Sequence, residues 1–192
     1  IAPLVNRYLE EHPAMRAELT LLDRMVDLLE EGLDLAFRIG RLPDSSLVAK
    51  PIGRTRYVIC ANPELLRSIG PLAHPSALTG KPCIAFTPQG RVWKFIDGER
   101  TLSIEIMPRM STNQVQAARL ACLQGLGLTR LLHYQVADDL AADRLVRVLT
   151  AFEEPALPIQ VIYPHARLVS ARVRRFIDWI TPQLNAVIPD AA

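Results

Sequence analysis

The sequence predicts an α/β fold built on a parallel sheet with crossover helices. Three observations carry that expectation. The N-terminal part runs helix, strand, helix, strand. The most legible helix, opening at Ser111, is followed by a strand, a helix and another strand. The chain then closes on an amphipathic helix whose Val173, Phe176, Ile177, Ile180 and Leu184 share one face. Such alternation characterises parallel sheets, whose strands are connected by helices packed on the sheet faces.

Taken in order, residues 2–11 read as a helix, with Leu4, Val5, Tyr8 and Leu9 at helical spacing. Ala17–Leu22 is a short apolar run suited to a buried strand. Asp23 can cap a helix over 24–31, and Gly32 follows as a left-handed stop. Asp34–Ile39 reads as a strand ending in Arg38-Ile39-Gly40. Leu47–Ala61 is long for one strand and holds Pro51, Gly53 and Arg54-Thr55 near its middle, which predicts a change of sheet there.

Pro63–Ser68 reads as a short helix, 70–82 as a Pro- and Gly-rich loop, and Cys83–Phe86 as a strand. Asp97-Gly98 marks a hairpin turn between the runs Val92–Ile96 and Thr101–Ile106. Ser111 with Gln114 fits a capping box for a helix striped by Val115, Ala118, Cys122 and Leu126 and ended by Gly125 or Gly127. Leu128–Leu132, Leu145–Leu149 and Ile159–Tyr163 read as strands, and Tyr134–Ala142 and the segment capped by Ser170 as helices.

The 192 residues suit one large domain or two small lobes, and they are enough to bury a core without disulfide staples. The 22 basic and 20 acidic side chains are mixed along the chain, so no basic face for nucleic acid stands out. No run has the length of a membrane span and no leader precedes a cleavage site, so no membrane partner and a cytoplasmic location are expected. Cys60, Cys83 and Cys122 form no Cys-x-x-Cys pair and read as buried packing thiols of a reducing compartment.

Catalytic motifs are absent. There is no nucleophile elbow, phosphate-binding loop, H-E-x-x-H or zinc-like spacing, so no enzyme activity, cofactor or metal is expected. The four histidines, His12, His74, His133 and His165, stand beside prolines, in loops or at element ends. A set of polar residues remains at places where α/β sheets expose ligand sites, beyond the carboxyl ends of strands. Arg38 and Gly40 lie at one such end, Thr87 at another, and Thr129-Arg130 interrupts an apolar strand. Ser111, Thr112 and Asn113 open a helix whose free N–H groups attract anions. Together they would suit a small organic acid. Equally, Ser111 and Thr112 can simply cap, Arg38 can form a surface pair, and Thr87 can turn the chain.

Several stretches resemble the effector-binding domain of LysR-type transcriptional regulators. They are "LLDRMVDLLEEGLDLAFRIGRLPDSSLVAKPI", "YVICANPELL", "AARLACLQGLGLTRLLHYQVADDLAADRLVRVL" and "LPIQVIYPHARLVSARVRRFIDWI". The likeness covers nearly the whole chain in order, and the R-I-G strand end with the D-S-S loop resembles one subgroup. It implies two Rossmann-like lobes joined by two crossover strands, of the type II periplasmic-binding-protein kind. Lobe I would be residues 1–55 and 164–192 and lobe II 56–163, with crossovers near Gly53–Arg56 and Ile159–Pro164.

The resemblance further implies a small-molecule effector held between the lobes by Arg38, Gly40, Thr112, Asn113, Thr129 and Arg130. It implies a homodimer or homotetramer, and DNA contact only through an N-terminal winged helix-turn-helix. That element, a linker helix and the first lobe I strand are expected to be absent here. Two departures stand out: Leu132 replaces a common proline, and Arg130 a commonly apolar residue. A transport solute-binding protein of the same fold is the alternative reading.

Overall fold

The computed structural model describes residues 1–21, 28, 30–40, 47–164 and 170–187. In chain order the elements are α1 (Ala2–Glu11), β1 (Ala36–Ile39), β2 (Val48–Thr55), β3 (Tyr57–Ala61), α2 (Pro63–Ile69), β4 (Cys83–Phe86), β5 (Val92–Asp97) and β6 (Arg100–Glu105). Then follow β7 (Pro108–Thr112), α3 (Val115–Leu123), β8 (Leu128–Leu132), α4 (His133–Ala141), β9 (Val146–Val148), β10 (Leu157–Tyr163) and α5 (Ala171–Val187). The chain divides into two compact units, Ile1–Thr55 with Leu157–Ala192, and Arg56–Ala156.

Unit 1 carries a three-stranded sheet in the order β1-β10-β2, with both pairings antiparallel. Here the structure departs from the parallel sheet expected of the N-terminal alternation. Proline is tolerated in β2 because this is an edge strand, and a bulge opposite Ile159 and Gln160 sets Ile52 into the core. Ile52, Ile159 and Val161 pack against Ile177, Ile180 and Leu184 of α5, the stripe expected of that helix. The Val173 amide donates to Ser170 Oγ at 3.4 Å, as the expected cap requires. Tyr8 of α1 docks by ring edges on Phe176 and Trp179, and the Trp179 indole N–H donates to Glu11 at 2.8 Å.

Two expectations for unit 1 change. Ala17–Leu21 is not a buried strand but an irregular exposed segment, with Leu21 80% exposed, and no strand pairs with it among the described residues. An apolar run becomes a strand only where a partner satisfies its backbone. The helix expected over 24–31 falls largely on residues outside the described set, as do Leu22, Pro43–Ser46 and His165.

Unit 2 is a five-stranded sheet, β7-β4-β8-β3-β9, plus the β5–β6 hairpin. Strands β7, β4 and β8 run parallel, while β3 is antiparallel to both its neighbours. Period-two alternation sends Val58, Cys60, Ile84 and Leu131 to the face covered by α3 and α4. It sends Ile59, Ala61, Cys83 and Leu128 to the face covered by Trp93 and Phe95 of the hairpin. Each large apolar side chain buried this way contributes about 1.5–3 kcal/mol. The break at Arg56, which separates β2 from β3, is the expected change of sheet.

The Gly125-Leu126-Gly127 stop divides its work. Gly125, at φ 75°, ends α3: its amide donates to Cys122 O and that of Leu126 to Ala121 O, a Schellman closure. Gly127 does something else. A Cβ there would lie 2.8 Å from the Pro82 carbonyl oxygen, the same oxygen that accepts the Leu128 amide at 2.9 Å as β8 begins. Gly127→Ala is therefore expected to cost about 1–3 kcal/mol by forcing backbone apart, against about 1 kcal/mol for Gly125→Ala from the left-handed φ alone. Urea midpoints of the two variants check this, and a Gly127→Ala midpoint at or above that of Gly125→Ala would contradict it.

Candidate ligand site

Parallel strand β4 starts a topological switch. The chain proceeds from it to β7 on one side and then to β8 on the other. In open α/β sheets ligands bind beyond the carboxyl ends of the strands at such a point. Register places Ala85 opposite Ser111 and Phe86 opposite Thr112, so Thr87 and Ser111–Asn113 emerge together at one sheet edge. Thr87, Ser111 and Asn113 are exposed and Thr112 is half-buried. Gln89, in the same single turn as Thr87, has a buried Oε1 with no hydrogen-bond partner among the described residues, an acceptor open to a donor.

The capping box does not form. Ser111 lies within β7, a strand not expected from the sequence, and Gln114 is the N-cap without a side-chain cap bond. Thr112 Oγ1 instead accepts the Gln114 amide at 3.1 Å, which turns the chain from strand to helix. Thr129 does not reach the surface: its side chain is fully buried and its hydroxyl donates to Ile84 O at 3.4 Å, so it ties β8 to the neighbouring strand β4 of the same sheet.

In unit 1, Arg38 is half-buried opposite Gln160 and Gly40 follows β1. Gly40 is needed for its backbone, at φ 107°, and not for a close approach, since a Cβ would meet nothing within 4 Å. Its amide donates to Pro158 O at 2.9 Å.

Arg130 does not interrupt β8. Alternation turns it to the hairpin face with Leu128, where its guanidinium carbon lies 4.1 Å from the Tyr57 ring centroid. Its Nη2 donates to Glu154, in an ion pair between residues 24 apart that no local pattern foretells. Burial pulls the Arg130 pKa down, and Glu154 and Tyr57 pull it back up. Burial likewise raises Tyr57, against the Arg130 charge. Beside this group lies a shallow hollow with room for about one water molecule, lined by Tyr57, Lys94, Phe95, Leu149, Glu153 and Glu154 among others.

Two further charge clusters hold the unit together. Asp139, fully buried on α4, receives Arg119 at 2.5 and 2.8 Å and Arg144 at 2.7 and 3.0 Å. Burial alone would raise its carboxyl, but the hydrogen bonds and charges of the two arginines overcome it and set its pKa below the ordinary value. Glu153 takes a two-pronged contact from Arg147 at 2.6 and 2.5 Å, with Arg56 at 3.6 Å. The bond to Glu153 raises Arg147, and burial with the nearby Arg147 lowers His133.

The three thiols are buried. Cys122 Sγ donates to Cys60 O at 3.4 Å, the contact with Cys122 and burial push Cys60 far up, and burial pushes Cys83 up to about 12. None is a ready nucleophile. Among the described residues no three His, Cys, Asp or Glu side chains could hold a metal ion, and no helix is long and apolar enough to cross a membrane.

The described chain is thus two α/β units, the second with a topological switch point at β4 whose neighbouring strand ends carry hydroxyls and an amide. The chain belongs to the LysR substrate binding domain family, whose model matches residues 1–185. It is 30% identical over 186 residues to the HTH-type transcriptional regulator YhjC of Escherichia coli, a match covering 94% of this chain and 62% of that one. It is 32% identical over 184 residues to the HTH-type transcriptional repressor PA14_22550 of Pseudomonas aeruginosa, covering 94% and 58%.

The regulatory domain of AphB from Vibrio vulnificus superposes with a TM-score of 0.83 at 27% identity, covering 94% of this chain and 91% of that one. The CrgA regulatory domain of Neisseria meningitidis gives 0.82 at 28%, covering 95% and 91%. The chain thus spans about three fifths of the curated relatives it matches and nearly all of these separate regulatory domains. The fold is of the type II periplasmic-binding-protein kind that the resemblance implied.

Because the folded pKa of Asp139 lies below its unfolded value, its contribution is complete above the unfolded carboxylate pKa, about 4. It is lost as pH falls through the folded value. Asp139→Asn is expected to cost about 3 kcal/mol at neutral pH, the low end for a broken buried pair, because Arg119 and Arg144 are partly exposed. The variant should also lose less stability than the parent on acidification below about pH 4. Urea unfolding across pH measures both, and parallel acid limbs would refute the assignment.

Proposed function

We propose that this chain is the effector-sensing domain of a LysR-type transcription regulator, and that it binds a small, anionic metabolite. The observation that carries this reading is the switch-point edge of unit 2, where Thr87, Ser111, Thr112 and Asn113 emerge together beside the start of α3. Hydroxyls, an amide and free helix N–H groups are the donors a carboxylate needs. The match to the family over residues 1–185 and the likeness to regulatory domains of transcription regulators support it over a transport solute-binding role. In this reading the chain does no catalysis. The full regulator is a cytoplasmic homodimer or homotetramer that meets DNA through a separate N-terminal domain, and the effector biases its conformations.

Thermal-shift screening of the chain with small carboxylates tests the reading. At least one acid should raise the midpoint, and Asn113→Ala should weaken its binding about tenfold, the loss of one hydrogen bond to a charged group. Unchanged affinity would remove Asn113 from the site. By itself the chain, with its net charge of +2, should show no tight salt-dependent binding to duplex DNA. Binding that falls steeply with salt in a filter assay would place DNA recognition in this chain and overturn the division of labour.

A further inference from the structure

We draw no further inference here: the strongest candidate, the apolar surface patch of unit 2 where Val92 at the start of β5 and Met107 just before β7 stand 46% and 81% exposed, carries nothing because nothing in the structure shows what covers it.

Discussion

The five-stranded sheet of unit 2 is covered on both faces, by α3 and α4 on one side and the β5–β6 hairpin on the other. Everything polar in the unit answers to that constraint. All five residues of β8 are buried, Thr129 and Arg130 among them. A hydroxyl in such a strand must find an acceptor, and Thr129 takes the carbonyl of the neighbouring strand. A guanidinium must find both a counter-charge and a flat surface, and Arg130 takes Glu154 and Tyr57. Side chains free to meet a ligand can emerge only where the faces end. That is why hydroxyls and an amide collect at the carboxyl ends of β4 and β7.

The strand at the centre of this arrangement depends on a close approach of backbone to backbone. β8 lies between β4 and β3, and its first residue is tied to the loop before β4 through the Pro82 carbonyl. Only a residue without a side chain can stand at 127 while that bond forms. Two residues earlier, a second glycine lets α3 stop by left-handed closure. The same short motif therefore ends the helix and seats the strand, and the two glycines are needed for different physical reasons.

Much of this was legible in the sequence, because periodicity and punctuation report burial directly. The long run broken by Pro51 and Gly53 does change sheets, Asp97-Gly98 does turn a hairpin, and the stripe from Val173 to Leu184 does face a core. What stayed hidden depends on partners. β7 reads Pro-Arg-Met-Ser-Thr and carries no strand pattern of its own, since an edge strand alternates only between half-burial and exposure. Ala17–Leu21 carries the pattern and lacks the pairing. Asp139, Glu153 and Glu154 look like solvated charges until long-range packing brings arginines to them. That Thr87, Thr112 and Asn113 stand at strand ends was legible, and the β4–β7 register brings them to one edge, whereas the burial of Thr129 was hidden because strand phase cannot be fixed from five residues.

Burial also decides which charges can take part in function. A carboxylate at zero exposure between two arginines is fixed, because its release would leave three groups unsatisfied. Glu154, partly hydrated and on irregular chain, can change partner at far smaller cost. Pro155 and Ala156 separate it from Leu157, where β10 begins, so its ion pair is made by irregular chain and owes nothing to a strand's register, whereas the Gly40 amide is fixed on the Pro158 carbonyl within that strand.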